Sequence, residues 1–191
     1  MVAVSLQMVA HSVRAQRESH SAELVWTGPD AGPTAFRRTE QAIIQVLDAA
    51  RNRITLISFA IYKIPKVVET LVRAAGRGVL LTVVVETPDR IAGQGEYSTI
   101  RALGPEVAAC STVYYWPGED RLVGANGKAG LLHVKCAAAD GEWLFISSAN
   151  LTRQAFTINM ELGILVRDDG SATAVERHFD RLIQVGRLQP I

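Results

Sequence analysis

Apolar positions along the chain fall into two rhythms. Ile43, Ile44, Val46, Leu47 and Ala50 lie three and four apart, which predicts a helix that opens at Thr39 or Glu40 and ends near Arg51. Residues 54–62 are then almost unbroken in apolar, β-branched and aromatic residues, as expected of a strand covered on both faces. Helical spacing returns at Val67, Val68, Leu71, Val72 and Ala75 behind Pro65, whose fixed φ suits a first turn, and Gly76 and Gly78 stop it. Residues 79–85 form a second fully apolar run. Strand, helix and strand with short connections make a βαβ unit with parallel strands and a right-handed crossover.

Further on, the pattern predicts a short helix around 97–103, a strand over 111–116, and a glycine-bearing stretch, 117–130, that reads as a mobile loop and candidate lid. A hairpin follows. Residues 131–139 alternate as a strand, Asp140-Gly141 is a turn signal, and 143–147 return antiparallel. Asn150 is placed to cap a short helix through Gln154, a strand spans 157–166, and a helix over 172–184 buries Val175, Phe179, Leu182 and Ile183. A hairpin beside parallel strands makes the central sheet mixed, so the fold class is α/β. Upstream, a helix over 2–16, an apolar piece over 24–26 and a Gly/Pro-rich loop read as an extension, residues 1–33, ahead of a single domain, 34–191.

Composition narrows this picture little. At 191 residues and 48% hydrophobic, the chain suits one domain able to bury its own core. A net charge of +1 provides no global field towards nucleic acid, so any such binding must come from a local patch. Arg37, Arg38, Arg51, Arg53 and Arg153 are candidates for a basic rim, with a solvated face as the alternative. Cys110 and Cys136 sit in apolar runs that read as strands, where free thiols of a reducing cytoplasm are expected rather than a disulfide. The first ten residues lack a basic start and a cleavage site, so no leader is expected, and no run approaches ~18 apolar residues.

Polar residues inside the hairpin and the next strand change the picture most. His133 and Lys135 are two apart, on one face of an extended strand; Asp140, Ser148, Asn150 and Glu161 follow. A neutral imidazole attacks phosphorus well and leaves a phosphoramidate that water can cleave. Lys135, Ser148 and Asn150 can hold the phosphate oxygens while charge concentrates on them. Glu161 can orient His133 through its ring N–H. Asp140 completes the candidate catalytic set with His133, Lys135 and Glu161, although its place in an Asp-Gly turn accounts for it without chemistry. His11, His20 and His178 have no companions at useful spacing and read as surface residues. No carboxylate or His/Cys cluster has metal-ligand spacing, so no metal and no cofactor is expected.

The pattern His-x-Lys-x4-Asp, then Ser-x-Asn, then Glu161, resembles the signature of the phospholipase D superfamily, with Ser147 where that family usually has Gly. The resemblance implies a phospholipase D-like α/β/α sandwich and metal-independent phosphodiester chemistry through a phosphohistidine on His133. Two motifs are needed per active site and this chain has one, which implies a homodimer of the short nuclease kind acting on nucleic acid. A phospholipase D-type lipid hydrolase and a catalytically silent nucleic-acid-binding component of a defence complex are the alternatives. The arrangement also looks like the phospholipase D-like component of DISARM-type phage-defence systems, which implies defence-system partner proteins. A cytoplasmic protein with no integral membrane association is expected.

Overall fold

The computed structural model describes residues 20–30, 32, 36–86, 102–168 and 170–191. The helix expected over 2–16 and most of the one around 97–103 lie outside these residues. β1 (Ser21–Thr27) and the two-residue β2 (Arg37–Arg38) precede α1 (Thr39–Ala49), whose buried Ala42, Ile43, Val46 and Leu47 form the apolar stripe set by the sequence. β3 (Arg53–Ser58), a short β4 (Ile61–Tyr62), α2 (Pro65–Gly76) and β5 (Leu80–Val85) follow. β3 and β5 pair in parallel from Arg53↔Leu80 to Ser58↔Val85, which makes the expected βαβ unit. The chain continues through α3 (Pro105–Cys110), β6 (Ser111–Tyr115), β7 (Lys135–Ala139) and β8 (Trp143–Ser147). It then forms β9 (Leu151–Thr152), α4 (Arg153–Thr157), β10 (Glu161–Arg167), α5 (Ser171–Gln184) and β11 (Gln189–Pro190).

The main sheet has nine strands in the order β11-β6-β5-β3-β7-β8-β10-β1-β2. It is mixed: β3, β5 and β6 are parallel, β7, β8 and β10 run antiparallel to their neighbours, and β1 is antiparallel to β10 but parallel to β2. One face carries α1 and α2, with Ile43, Leu47, Val67 and Leu71 packed over Leu56, Val83, Ala137 and Leu165. The other carries α5, whose Phe179 lies with Ile57, Val84 and Cys136. The architecture is the expected α/β/α sandwich with a mixed sheet.

Long-range contacts change three local expectations. The run 54–62 is not one strand. The Ser58 hydroxyl donates to Ala60 O at 2.8 Å and accepts from Leu151 N at 3.3 Å, turning the chain out of the main sheet, so that β4 pairs with β9 in a second sheet. The apolar piece at 24–26 is the middle of β1, which pairs with β10 over its whole length, from Ser21↔Arg167 to Thr27↔Glu161. The sheet therefore begins at Ser21, upstream of the boundary at residue 33. Cys110 closes α3 rather than sitting in a strand, and both cysteines are free.

The stretch 117–130 is anchored rather than free. Arg121 and Glu86 form an ion pair in which both side chains are 0% exposed. A pair so buried is tolerated only where the remaining polar atoms are also bonded. Arg121 donates to Trp116 O and Gly130 O, and Glu86 accepts Leu132 N at 2.7 Å. The end of β5 is thereby tied to the segment that delivers His133, while Leu122 and Val123, just before the turn at 124–128, stay exposed.

Candidate active site

β7 begins at Lys135, so His133 lies just outside the ladder, on a segment held through Leu132 to Glu86. His133 is exposed and Lys135 is buried. The Lys135 ammonium donates to His133 O at 3.1 Å. Phe59, where the chain leaves β3, touches both: its ring centroid is 5.4 Å from that of His133, and Lys135 Nζ lies 5.6 Å from it. One aromatic ring thus contacts both a candidate nucleophile and a candidate cation. Spacing alone gave no sign of Phe59, because it reaches the site only through the pairing Ser58↔Lys135.

Burial pulls the Lys135 ammonium below its ordinary pKa, and the negative charge of Glu161 partly restores it. Glu161, at the start of β10, accepts from the Ser148 hydroxyl and from Asn159 Nδ2 at 3.0 Å. Both oxygens are thus occupied, and among the described residues no hydrogen bond joins Glu161 to His133. The expected orienting bond is replaced by one that fixes Ser148. The Ser148 hydroxyl also accepts Leu162 N at 3.2 Å. Asn150 does not cap a helix. That role falls to Thr152, whose hydroxyl accepts Ala155 N at 3.2 Å, while Asn150 Oδ1 is enclosed without a hydrogen-bond partner.

Ser147 fits because its β10 partner is Gly163. A Cβ on Gly163 would lie 2.8 Å from Ile146 O and 3.0 Å from Ser147 Cβ and Oγ. The side chain gained at 147 takes the space that glycine leaves at 163, and its hydroxyl accepts Ala149 N at 3.0 Å.

Asp140 is the one member of the candidate set that the fold carries away. It sits at the opposite end of β7 from Lys135, about 17 Å along an extended strand. Its carboxylate accepts the backbone N–H groups of Arg51, Asn52 and Arg53 at 2.6, 2.9 and 2.8 Å, and its φ of 55° turns the hairpin. Asp140 fixes the start of β3 against the turn, and a catalytic placement for it is corrected to a structural one.

His133 also lines a cleft of about 470 Å³ whose walls include Trp116, Leu131, Leu132, Phe179 and Leu182. His178, exposed as expected, is at its edge. Among the described residues no three His, Cys, Asp or Glu side chains cluster as metal ligands would, and no helix is long and apolar enough to cross a membrane.

Comparison with known proteins places these features. Residues 43–183 match the family described as cardiolipin synthase, PLD-like domain. The chain is 24% identical over 174 residues to cardiolipin synthase A of Erwinia tasmaniensis, covering 91% of this chain and 32% of that protein. It is 28% identical over 153 residues to DISARM protein DrmC of Bacillus paralicheniformis, covering 79% of this chain and 59% of that one. The chain thus spans about a third and three fifths of these relatives. Among solved structures, NucT from Helicobacter pylori superposes with a TM-score of 0.68 at 16% identity, covering 90% of this chain and 99% of that one. The phospholipase D family member Nuc from Salmonella typhimurium gives 0.64 at 17% identity, covering 90% and 98%.

Proposed function

Because the chain belongs to the phospholipase D-like domain family, we propose that it is a metal-independent phosphodiesterase that cleaves nucleic acid through a covalent intermediate on His133. The observation that carries this reading is the exposed His133 imidazole, set on Phe59 beside the buried Lys135 ammonium. Glu161, on β10, holds the hydroxyl of Ser148, just past the end of β8, the strand beside β7. A ring nitrogen of His133 attacks phosphorus as the bond to the departing oxygen breaks, and that oxygen takes a proton from a general acid. Water then attacks the phosphoramidate, gives its proton to the group that acted as acid, and the P–N bond breaks to restore His133. Lys135 and Ser148 stabilise the charge on the phosphate oxygens at both steps.

The general acid is the same histidine of a second subunit. The single motif supports this, as does an apolar sheet face left bare next to Ser148: Leu24, Ile146 and Leu162 are 55, 44 and 54% exposed on neighbouring strands. Oligonucleotide cleavage in excess chelator is the expected result, abolished in His133→Ala. Loss of cleavage in chelator, or its survival in His133→Ala, contradicts the mechanism, and a strict monomer contradicts the shared site. The match to DISARM protein DrmC supports partner proteins of a defence system.

The apolar cleft beside His133, with exposed Leu122 at its mouth, favours a second reading, a phospholipid substrate, to which the match to a cardiolipin synthase adds weight. Release of headgroup from liposomes at a rate above oligonucleotide cleavage would select it.

A further inference from the structure

The expected basic rim sorts itself by partners. Arg37, Arg38 and Arg53 are tied to Glu23, Asp30 and Asp180, and Arg51 lies with Asp140 at the far end of β7. Arg153 is exposed and, among the described residues, has no carboxylate partner; the same holds for Lys63. These two cations meet at one place. β4 and β9 pair in parallel through Ile61↔Leu151 and Tyr62↔Thr152, and Lys63 and Arg153 are the residues that immediately follow the last pair. Lys63 follows Phe59, whose ring touches His133, by four residues, a backbone reach of at most about 14 Å from the reacting centre.

Lys63 is also held in an unusual way. It is one of two non-glycine residues among those described with positive φ, at 51°, a conformation that costs about 1 kcal/mol and persists only where the surroundings demand it. Its ammonium stands 4.8 Å from the centroid of the Tyr62 ring rather than reaching an acid. A cation and an aromatic ring within reach of the reacting centre are the two kinds of group with which grooves follow a nucleic-acid strand.

We propose that Lys63 and Arg153 form a second phosphate subsite, which holds the backbone phosphate next to the one at His133 and so selects a polynucleotide strand over an isolated phosphodiester. This rests on the reading of His133 as the reacting centre. The test compares the parent with Lys63→Ala/Arg153→Ala on a ten-nucleotide single strand and on bis(4-nitrophenyl) phosphate, which has no neighbouring phosphate. The expected result is a fall of about tenfold or more in the preference for the oligonucleotide, carried by KM, with Lys63→Arg/Arg153→Lys retaining most of it. The salt dependence of oligonucleotide binding should flatten by about 0.7 in log–log slope, the share of one phosphate contact on a single strand. An unchanged preference, or an equal loss on both substrates, overturns the subsite. Oligonucleotide affinity in a His133→Ala background separates this from the catalytic reading: the subsite requires the same loss there, and equal binding overturns it whether or not the parent cleaves anything.

Discussion

Replacing Arg121 with Met tests whether the segment before His133 is held by the buried ion pair. Both side chains of the pair are 0% exposed, so the substitution removes from the buried Glu86 carboxylate the guanidinium that faces it. Breaking a buried pair from one side costs about 3–5 kcal/mol, a large share of the ~5–15 kcal/mol that holds a domain together. For a chain of 191 residues that is a fall in Tm of between about 6 and 20 °C. Urea unfolding followed by tryptophan fluorescence suits the measurement, since the Arg121 guanidinium lies 5.3 Å from the Trp116 ring. The double variant Glu86→Leu/Arg121→Met removes both charges and should recover part of the loss. It cannot recover all, because Leu132 N, Trp116 O and Gly130 O still lose their partners. An Arg121→Met protein within about 1 kcal/mol of the parent, or a double variant less stable than the single, refutes the reasoning.

Gly163→Ala places a Cβ 2.8 Å from Ile146 O and should cost about 1–3 kcal/mol by denaturant midpoint, with Ser147→Gly recovering only part because it relieves only the Ser147 contacts. The Cys136 thiol, pushed up to about 12 by burial, should resist a thiol-specific reagent in the native protein while Cys110 reacts, and both should react once unfolded. Burial raises the pKa of the Glu176 carboxyl, against the pull of Arg53. The folded state therefore binds this proton more tightly than the unfolded one, and the stability it contributes is full below the ordinary carboxylate range and lost as pH rises through the raised value. Glu176→Gln should accordingly gain in Tm over the parent at pH near 7 and lose that margin towards pH 4; a margin that grows on acidification contradicts this.

The parts legible in the sequence are those whose cause is local. The stripes of α1, α2 and α5 follow from helical spacing, β3 and β5 from unbroken apolar runs, and the hairpin from Asp140-Gly141. The break after β3 was not legible, because the group that turns the chain, Leu151 N on the Ser58 hydroxyl, is supplied from a distant segment. Site chemistry divides in the same way. His133 and Lys135 meet at Phe59, yet Glu161 serves Ser148 rather than the imidazole, and the Asp140 carboxylate is consumed by three backbone N–H groups. Spacing singles out candidate side chains but not which partner reaches them first. Arg37 and Arg153 look alike in the sequence, and only the fold gives one of them an acid.

The central claim is that His133 becomes covalently bonded to phosphorus. An oligonucleotide labelled at the scissile phosphate, mixed with the protein in chelator and quenched into alkali, where a phosphohistidine survives, tests it by peptide mass analysis. The account predicts a nucleotide or phosphate adduct on the peptide bearing His133, absent from His133→Ala. Turnover without any adduct, or an adduct on another residue, contradicts it.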